Sequence, residues 1–305
     1  MDIVFGTSGS VRHILGLKGG EMYNLNGKVA LVTGAASKPG FGHAIAVRLA
    51  QEGADIVVVD KDLPPDGLSE DDRIEGWQGL ISVVEEVEAL GHKALAIKTD
   101  ITDSQQVKDM VTNVVDKFGK VDILVNNAGI MEEFTPIIEF DEQVWRKILA
   151  VNLNGNFHCS KHVAKSMVER GGGGKIINLS SQVGRAGAAQ LGAYVATKFG
   201  IVGLTQTLAH ELAPHKINVN AICPGAAPTN LSPSLGGSGR TQARLQGVSV
   251  DEANSQSYGW LLPMIPLGRL CTPIDIANVA AFLASSESDY MTGLAISVTG
   301  GALMP

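Results

Sequence analysis

The sequence predicts an α/β fold, a doubly wound and mostly parallel sheet of seven strands with helices on both faces. Three observations carry this expectation. Short apolar runs alternate with longer helical patterns from Lys28 onward. Several runs are apolar on both faces, as strands buried between two helix layers must be. Aromatics make up only 5% of a chain that is 45% hydrophobic, so the core must be built from Val, Ile, Leu and Ala. Such a core suits helices packed closely on buried strands.

In order, the strands are expected at Lys28–Thr33, Asp55–Asp60, Lys93–Thr99, Ile123–Asn126, Lys175–Leu179, Ile217–Ile222 and Ala295–Val298. Helices are expected at Gly42–Glu52, Leu80–Leu90, Ser104–Phe118, Asp141–Glu169, Tyr194–Leu212 and Pro273–Ala284, with N-terminal signals at Ser104 and Pro273. Strand and helix in alternation imply right-handed crossovers and a parallel sheet. No second repeat and no linker is visible, so one domain is expected over 25–305. Residues 1–24 carry little pattern and are read as a weakly structured extension, of which 1–21 should be dispensable. Three stretches break the rhythm: the acidic Lys61–Gly79, the Gly171–Gly174 turn and the long, irregular Thr229–Pro266. A loop as long as the last is usually functional, and a substrate lid over about 229–266 is the expectation.

Composition excludes several classes. A net charge of -7 argues against nucleic acid, which needs a basic surface. No apolar run reaches the roughly 20 residues of a membrane span. The stretch before Lys18 lacks the apolar core of a secretion signal. Cys159, Cys223 and Cys271 are widely spaced and odd in number, so neither a disulfide framework nor a metal site is expected. The expected address is the cytoplasm.

The turn after the first strand reads Thr33-Gly34-Ala35-Ala36-Ser37-Lys38-Pro39-Gly40-Phe41-Gly42 and runs into an apolar helix. Glycine lets the backbone turn sharply and approach a pyrophosphate, while the helix start offers free N–H groups and the positive end of its dipole. Gly34, Ser37, Gly40, Phe41 and Gly42 are therefore candidate dinucleotide contacts in a Rossmann-like sheet. Asp60 ends the second strand, where a carboxylate accepts the adenosine ribose hydroxyls and repels a 2′-phosphate. Lys38 and Lys61 stand nearby and could receive that phosphate, but Asp60 and the acids that follow (Asp62, Asp66, Glu70, Asp71, Asp72) favour NAD. NADP is the alternative. The acidic run itself reads as a solvated surface.

Tyr194 and Lys198 are four residues apart in a helical stretch and share a face. A tyrosine hydroxyl ionises near pH 10, too high for a base at neutral pH, but a neighbouring ammonium or an oxidised nicotinamide lowers that value. Ser180-Ser181 closes the fifth strand and Asn126-Asn127-Ala128-Gly129 the fourth. Pro224-Gly225 follows the sixth. These ends share the carboxyl edge, where doubly wound sheets bind ligands.

With these motifs at these spacings, the chain resembles the short-chain dehydrogenase/reductase family of the compact, single-domain kind, over about Leu25 to Ala302. The motifs are Thr33–Gly42, Asn126–Gly129, Asn152, Ser181, Tyr194-x-x-x-Lys198 and Pro224–Thr229, with Pro266–Arg269 and Val298–Gly301 beyond them. The resemblance implies Tyr194 as general acid/base, Lys198 as the group that tunes it and binds the nicotinamide ribose, and Ser181 as the residue orienting the substrate oxygen. It implies Asn152 as holder of a relay water, Asp100 and Ile101 against adenine, and Asn127, Ala128 and Gly129 along the ribose. Thr229 and Ala227, after Pro224 and Gly225, would anchor the carboxamide. It also implies hydride transfer between NAD(H) and a secondary alcohol or ketone, and a homo-oligomer, a tetramer or dimer.

Two departures stand out. Five residues rather than the usual three separate Gly34 from Gly40, and Lys61–Gly79 exceeds the usual length. The rival readings are an NADP-dependent ketone reductase and, in another class, a nucleotide-sensing protein without chemistry. An enoyl reductase fits less well, because that branch places six residues between its tyrosine and lysine. The small-molecule pocket is expected among Gln182, Ala188, Leu191, Gly192, Ile130–Phe134 and the lid residues Leu231, Leu235, Leu245, Tyr258, Trp260 and Leu262. Arg240 and Arg244 would be solvated or would meet an anionic group.

Overall fold

The computed structural model describes residues 22–61, 70–131, 133–231 and 238–304. The expected extension over 1–21, the acids Asp62 and Asp66, and Leu235 lie outside these residues. Seven strands form one sheet, every pair parallel, in the order β3-β2-β1-β4-β5-β6-β7. They are β1 (Val29–Thr33), β2 (Asp55–Asp60), β3 (Ala94–Lys98), β4 (Ile123–Asn126), β5 (Gly174–Leu179), β6 (Ile217–Pro224) and β7 (Ala295–Val298).

Strand alternation divides the core into two layers. Ala30 and Val32 of β1, Ile56 and Val58 of β2, and Ile123 and Val125 of β4 face one side. There they meet α1 (Phe41–Gln51), α3 (Leu80–Ala89) and α10 (Pro273–Ala284). Leu31, Val57, Val59 and Leu124 face the other, against α4 (Ser104–Phe118), α6 (Asn156–Arg170) and α7 (Gly192–Leu212). The small residues Ala46, Ala50, Ala277, Ala280 and Ala281 let α1 and α10 lie side by side.

Helix starts follow capping chemistry. Asp103, rather than Ser104, caps α4 by accepting from Gln105 and Gln106 N–H groups. Thr272 caps α10 in a reciprocal capping box with Asp275, ahead of Pro273. The single helix expected over 141–169 is instead α5 (Glu142–Leu149) and α6, joined by a π-helical turn over Ala150–Gly155. Two further helices, α8 (Arg240–Gln246) and α9 (Val250–Tyr258), occupy the stretch expected to be irregular. A short helix α2 (Glu70–Ile74) lies inside the acidic insertion.

Two buried carboxylates anchor the chain away from the site. Glu52 is fully buried, and its carboxylate accepts from Arg48 and from the Met22 and Tyr23 N–H groups. Residues 22–24 are thus tied down, unlike the loose extension expected there. Asp122 accepts from Val29 N–H at 2.9 Å, Arg170 at 2.7 Å and Lys120 at 2.9 Å. Burial opposes its ionisation, but these donors outweigh burial and hold the carboxyl below its usual range. A depressed folded pKa stabilises the protein above the unfolded value near 4 and loses that contribution as pH falls through the folded value. Asp122→Asn should cost about 3 kcal/mol at neutral pH. Urea unfolding at neutral and acid pH checks this, with the deficit shrinking in acid.

Candidate active site

The site is assembled at the carboxyl ends of β1, β2, β4, β5 and β6. Thr33, buried at the end of β1, accepts from the N–H groups of Asn127 and Ala128, both at 3.1 Å. The Asn127 amide answers by donating to Thr33 O at 2.9 Å and Gly34 O at 2.8 Å. These bonds stitch the β1 and β4 ends together, so the glycine turn and the Asn127–Gly129 backbone form one wall. Asp60 reaches back to the same turn, accepting from Ala36 N–H at 3.0 Å. The α1 N-terminus is preceded by Gly40, which with Phe41 lines the cleft, and no side chain caps its first N–H groups.

Below this wall lies a buried amide ladder. Asn126 donates to Asn178 Oδ1 and to Ser160, both at 2.9 Å, and Asn178 donates to Thr205 at 2.9 Å. β4 and β5 put Asn126 and Asn178 in register, which makes the pairing possible. This network was not anticipated from the sequence, because strand polarity alone does not show where partners from α6 and α7 will stand.

The chemical groups gather where α7 passes under β5. Tyr194 and Lys198 are both buried on α7, with the ammonium 5.3 Å from the centre of the phenol ring. Lys198 Nζ donates to Leu179 O at 2.8 Å, and Ser180 donates to Lys198 O at 2.8 Å, so the strand end holds the helix start in place. Ser181, whose Oγ accepts from Val183 N–H at 3.3 Å, lies beside the Tyr194 hydroxyl and favours its phenolate. Burial pushes the Tyr194 phenol up to about 12, against the lowering effect of Ser181. Burial also pulls the Lys198 ammonium down to about 8. The sequence expects the neighbouring ammonium to lower the phenol; burial is the larger influence on Tyr194 and sets the direction of its shift.

A cleft of about 760 Å³ joins these groups to the glycine turn and to Asp60. Its polar and apolar walls converge as ligand sites do.

Against known proteins, residues 28–237 match the family model for short chain dehydrogenases. A 2-dehydro-3-deoxy-D-gluconate 5-dehydrogenase of Dickeya dadantii is 38% identical over 281 residues, covering 92% of this chain and 97% of its own. The chain belongs to the short-chain dehydrogenase/reductase family. Accordingly it is an NAD(P)-dependent enzyme acting on CH–OH and C=O groups. Carveol dehydrogenase from Mycobacterium avium, solved with NAD, superposes with a TM-score of 0.79 at 30% identity, covering 93% of this chain and 100% of that one. A structure described as a putative 2-deoxy-d-gluconate 3-dehydrogenase from Agrobacterium tumefaciens, with bound NADP, gives 0.75 at 33% identity, covering 93% and 99%.

Most of the residues singled out in the sequence line this dehydrogenase's cleft: Gly34, Ser37, Gly40, Phe41, Asp60, Asp100, Ile101, Asn127, Ala128 and Gly129 at one end. Ser181, Tyr194, Lys198, Pro224, Gly225, Ala227 and Thr229 line the other. Two do not. Gly42 packs beneath the turn, where a Cβ would stand 2.4 Å from Gly34 O. Asn152, in the π-helical turn, is buried behind Gly129 with its side chain on Ile130: Oδ1 accepts from Ile130 N–H at 2.8 Å and Nδ2 donates to Ile130 O at 2.9 Å. A π-turn re-aims one residue without ending the helix, which no sequence period reveals. Its amide thus supports the cleft wall.

Of the residues expected at a small-molecule pocket, Gln182, Ala188, Leu191, Ile130, Met131, Phe134, Leu231, Tyr258 and Trp260 line the cleft, joined by Lys147, Val151, Val183, Ala189 and Leu261. Leu245 is exposed instead, and Gly192 and Leu262 are off the wall. Lys38, a candidate for a 2′-phosphate, pairs with Glu75 at 2.6 Å. Among the described residues no cluster suits a metal ion, and no helix is long and apolar enough to cross a membrane.

Proposed function

We propose that this enzyme moves a hydride between NAD(H) and a secondary alcohol or its ketone, with Tyr194 as the general acid/base. The observation that carries the reading is the Ser181–Tyr194–Lys198 cluster, with Tyr194 and Lys198 buried, lining a cleft that continues to Asp60 and the bare start of α1. An oxidised nicotinamide held in the cleft would supply the hydride acceptor and a positive charge beside the phenol. Tyr194 then takes the alcohol proton in oxidation and returns it in reduction, Ser181 holds the substrate oxygen, and Lys198 favours the phenolate. Asn152 acts on this centre through the Ile130 backbone. Gly34, Ser37, Gly40 and Phe41 would hold the pyrophosphate, Asp60 the adenosine ribose, Asp100 and Ile101 the adenine, Asn127 to Gly129 the ribose, and Pro224 to Thr229 the carboxamide.

The preference for NAD rests on Asp60 beside the turn and on Glu75 drawing Lys38 away. Asp60→Ser is expected to raise kcat/KM for NADP relative to NAD by about tenfold or more. Equal use of both cofactors by the unaltered enzyme would contradict the assignment.

The apolar walls, Met131, Phe134, Val151, Leu191, Trp260 and Leu261, favour a substrate whose body is apolar around the reacting carbon. A panel of secondary alcohols and ketones, followed by NADH absorbance, tests the reaction class. Because burial raises Tyr194, the base is short of phenolate at neutral pH, so oxidation should speed up between about pH 7 and 9 while reduction, which needs the protonated phenol, stays flat over that range. Exposed Phe157 on α6 and Phe199 on α7 favour a homo-oligomer, which light scattering would size. The unpaired thiols fit a reducing compartment such as the cytoplasm.

A further inference from the structure

The acidic insertion and the α8–α9 segment are far apart in sequence, yet they are locked together. Asp71 and Asp72 of α2 are buried, and buried carboxylates need partners. Arg244 meets Asp71 at 2.7 Å and Glu70 at 2.9 Å. Arg240 meets Asp72 at 2.6 Å and Glu75 at 2.7 Å. Thr241 donates to Asp71. Arg240 is largely buried among its ion pairs, whereas Arg244 stays exposed to solvent while pairing with Asp71 and Glu70; Asp71 and Asp72 are buried, contrary to the solvated surface expected of them.

The lock is continuous with both ends of the site. Glu75 also holds Lys38 of the glycine turn, and Trp77 donates to Ala36 O at 2.8 Å. On the other side, Gln242 of α8 binds Gln256 at 3.1 Å and Ser257 at 2.7 Å, both on α9. Ala243 and Ala253 are buried in the same two helices. The end of α9 and the residues after it supply Tyr258, Trp260 and Leu261 to the cleft wall. Packed elements joined by such bonds transmit position from one end to the other.

We propose that α2 is a strap that sets the substrate wall, with Arg240 and Arg244 as positioning residues acting through α8 and α9 on Tyr258, Trp260 and Leu261. The proposal rests on reading that wall as the substrate end. The long insertion thereby acquires a role, since the segment that follows the cofactor's carboxylate also fixes the far side of the cleft. Two arginines against four carboxylates, two of them buried, fix one register of α8, because removing either arginine strands a buried aspartate, Asp72 for Arg240 and Asp71 for Arg244. Burial works against ionisation of Asp71, but Thr241 and Arg244 overcome it and keep the carboxylate charged.

The test is a double-mutant cycle in the full chain with Arg244→Gln, Asp71→Asn and the pair together. Each single change should raise substrate KM about three- to tenfold, with kcat and the NAD dissociation constant within about twofold. The pair should be no worse than the worse single change, and Arg244→Lys should recover part of the loss. Unchanged KM, or losses that simply add, would overturn the strap. A loss of NAD binding along with substrate binding would also overturn it, by assigning the seam to general stability. Hydrogen exchange over residues 248–262 needs no turnover. Faster exchange there in Asp71→Asn supports the strap even if the reaction class is misread, and unchanged exchange defeats it.

Discussion

Tyr194→Phe is expected to lower kcat by about a thousandfold, within the range lost when a positioned acid/base is removed. That factor corresponds to about 4 kcal/mol of transition-state stabilisation. The change removes one oxygen from a buried phenol whose ring stays in place, so the helix α7 and the Lys198 contact with Leu179 O should persist. NAD and NADH dissociation constants should therefore stay within about threefold. Ser181 then has no phenol oxygen to favour, though it keeps its Val183 N–H bond, and Lys198 has no phenolate to favour. Steady-state kinetics with fluorescence titration of NADH separates the two effects. Turnover within about tenfold of the parent would remove Tyr194 from the chemistry, and a protein-wide loss of NADH binding would show a structural role instead.

Gly34→Ala is expected to have the next largest effect, on cofactor binding and stability together. Gly34 has φ +69°, and a Cβ there would stand 2.6 Å from Ala128 Cα and 2.9 Å from Ala128 N. Both atoms are backbone, in the segment stitched to Thr33 and Gly34 by Asn127, so neither can swing aside. Left-handed strain of about 1–2 kcal/mol and overpacking of about 1–3 kcal/mol add to roughly 2–5 kcal/mol. NAD affinity should fall more than about tenfold as the turn shifts. Gly91→Ala is the control, since Gly91 has φ +89° with nothing within 4 Å. It should show only the backbone cost and unaltered NAD binding, read by thermal melting and titration.

What the sequence conveyed depended on how local the physics was. The glycine turn, Asp60, Ser181 and the Tyr194–Lys198 spacing are fixed by neighbours in the chain, and strand ends at one sheet edge bring them together. The strands were readable because parallel, doubly covered strands are apolar throughout. Gly42 was expected at the dinucleotide from the turn motif and Asn152 as holder of a relay water from resemblance; Gly42 packs under Gly34 O, and a π-helical turn sets the Asn152 amide on Ile130. The fates of Arg240, Arg244, Asp71 and Asp72 were invisible for another reason. Their charges looked solvated singly, and only the fold brings α2 against α8 across more than 160 residues. Glu52 is the same case, a carboxylate whose partners include the backbone of Met22 and Tyr23.

Direct hydride transfer governed by Tyr194 is tested most directly by isotopic labelling. A secondary alcohol turned over in the panel is deuterated at its carbinol carbon, and the reduced dinucleotide is examined by mass spectrometry. One deuterium is expected in NADH with the parent enzyme. None above background is expected on the same timescale with Tyr194→Phe, which still binds NAD. Deuterium released to water, or transferred as fast by Tyr194→Phe, would contradict that chemistry.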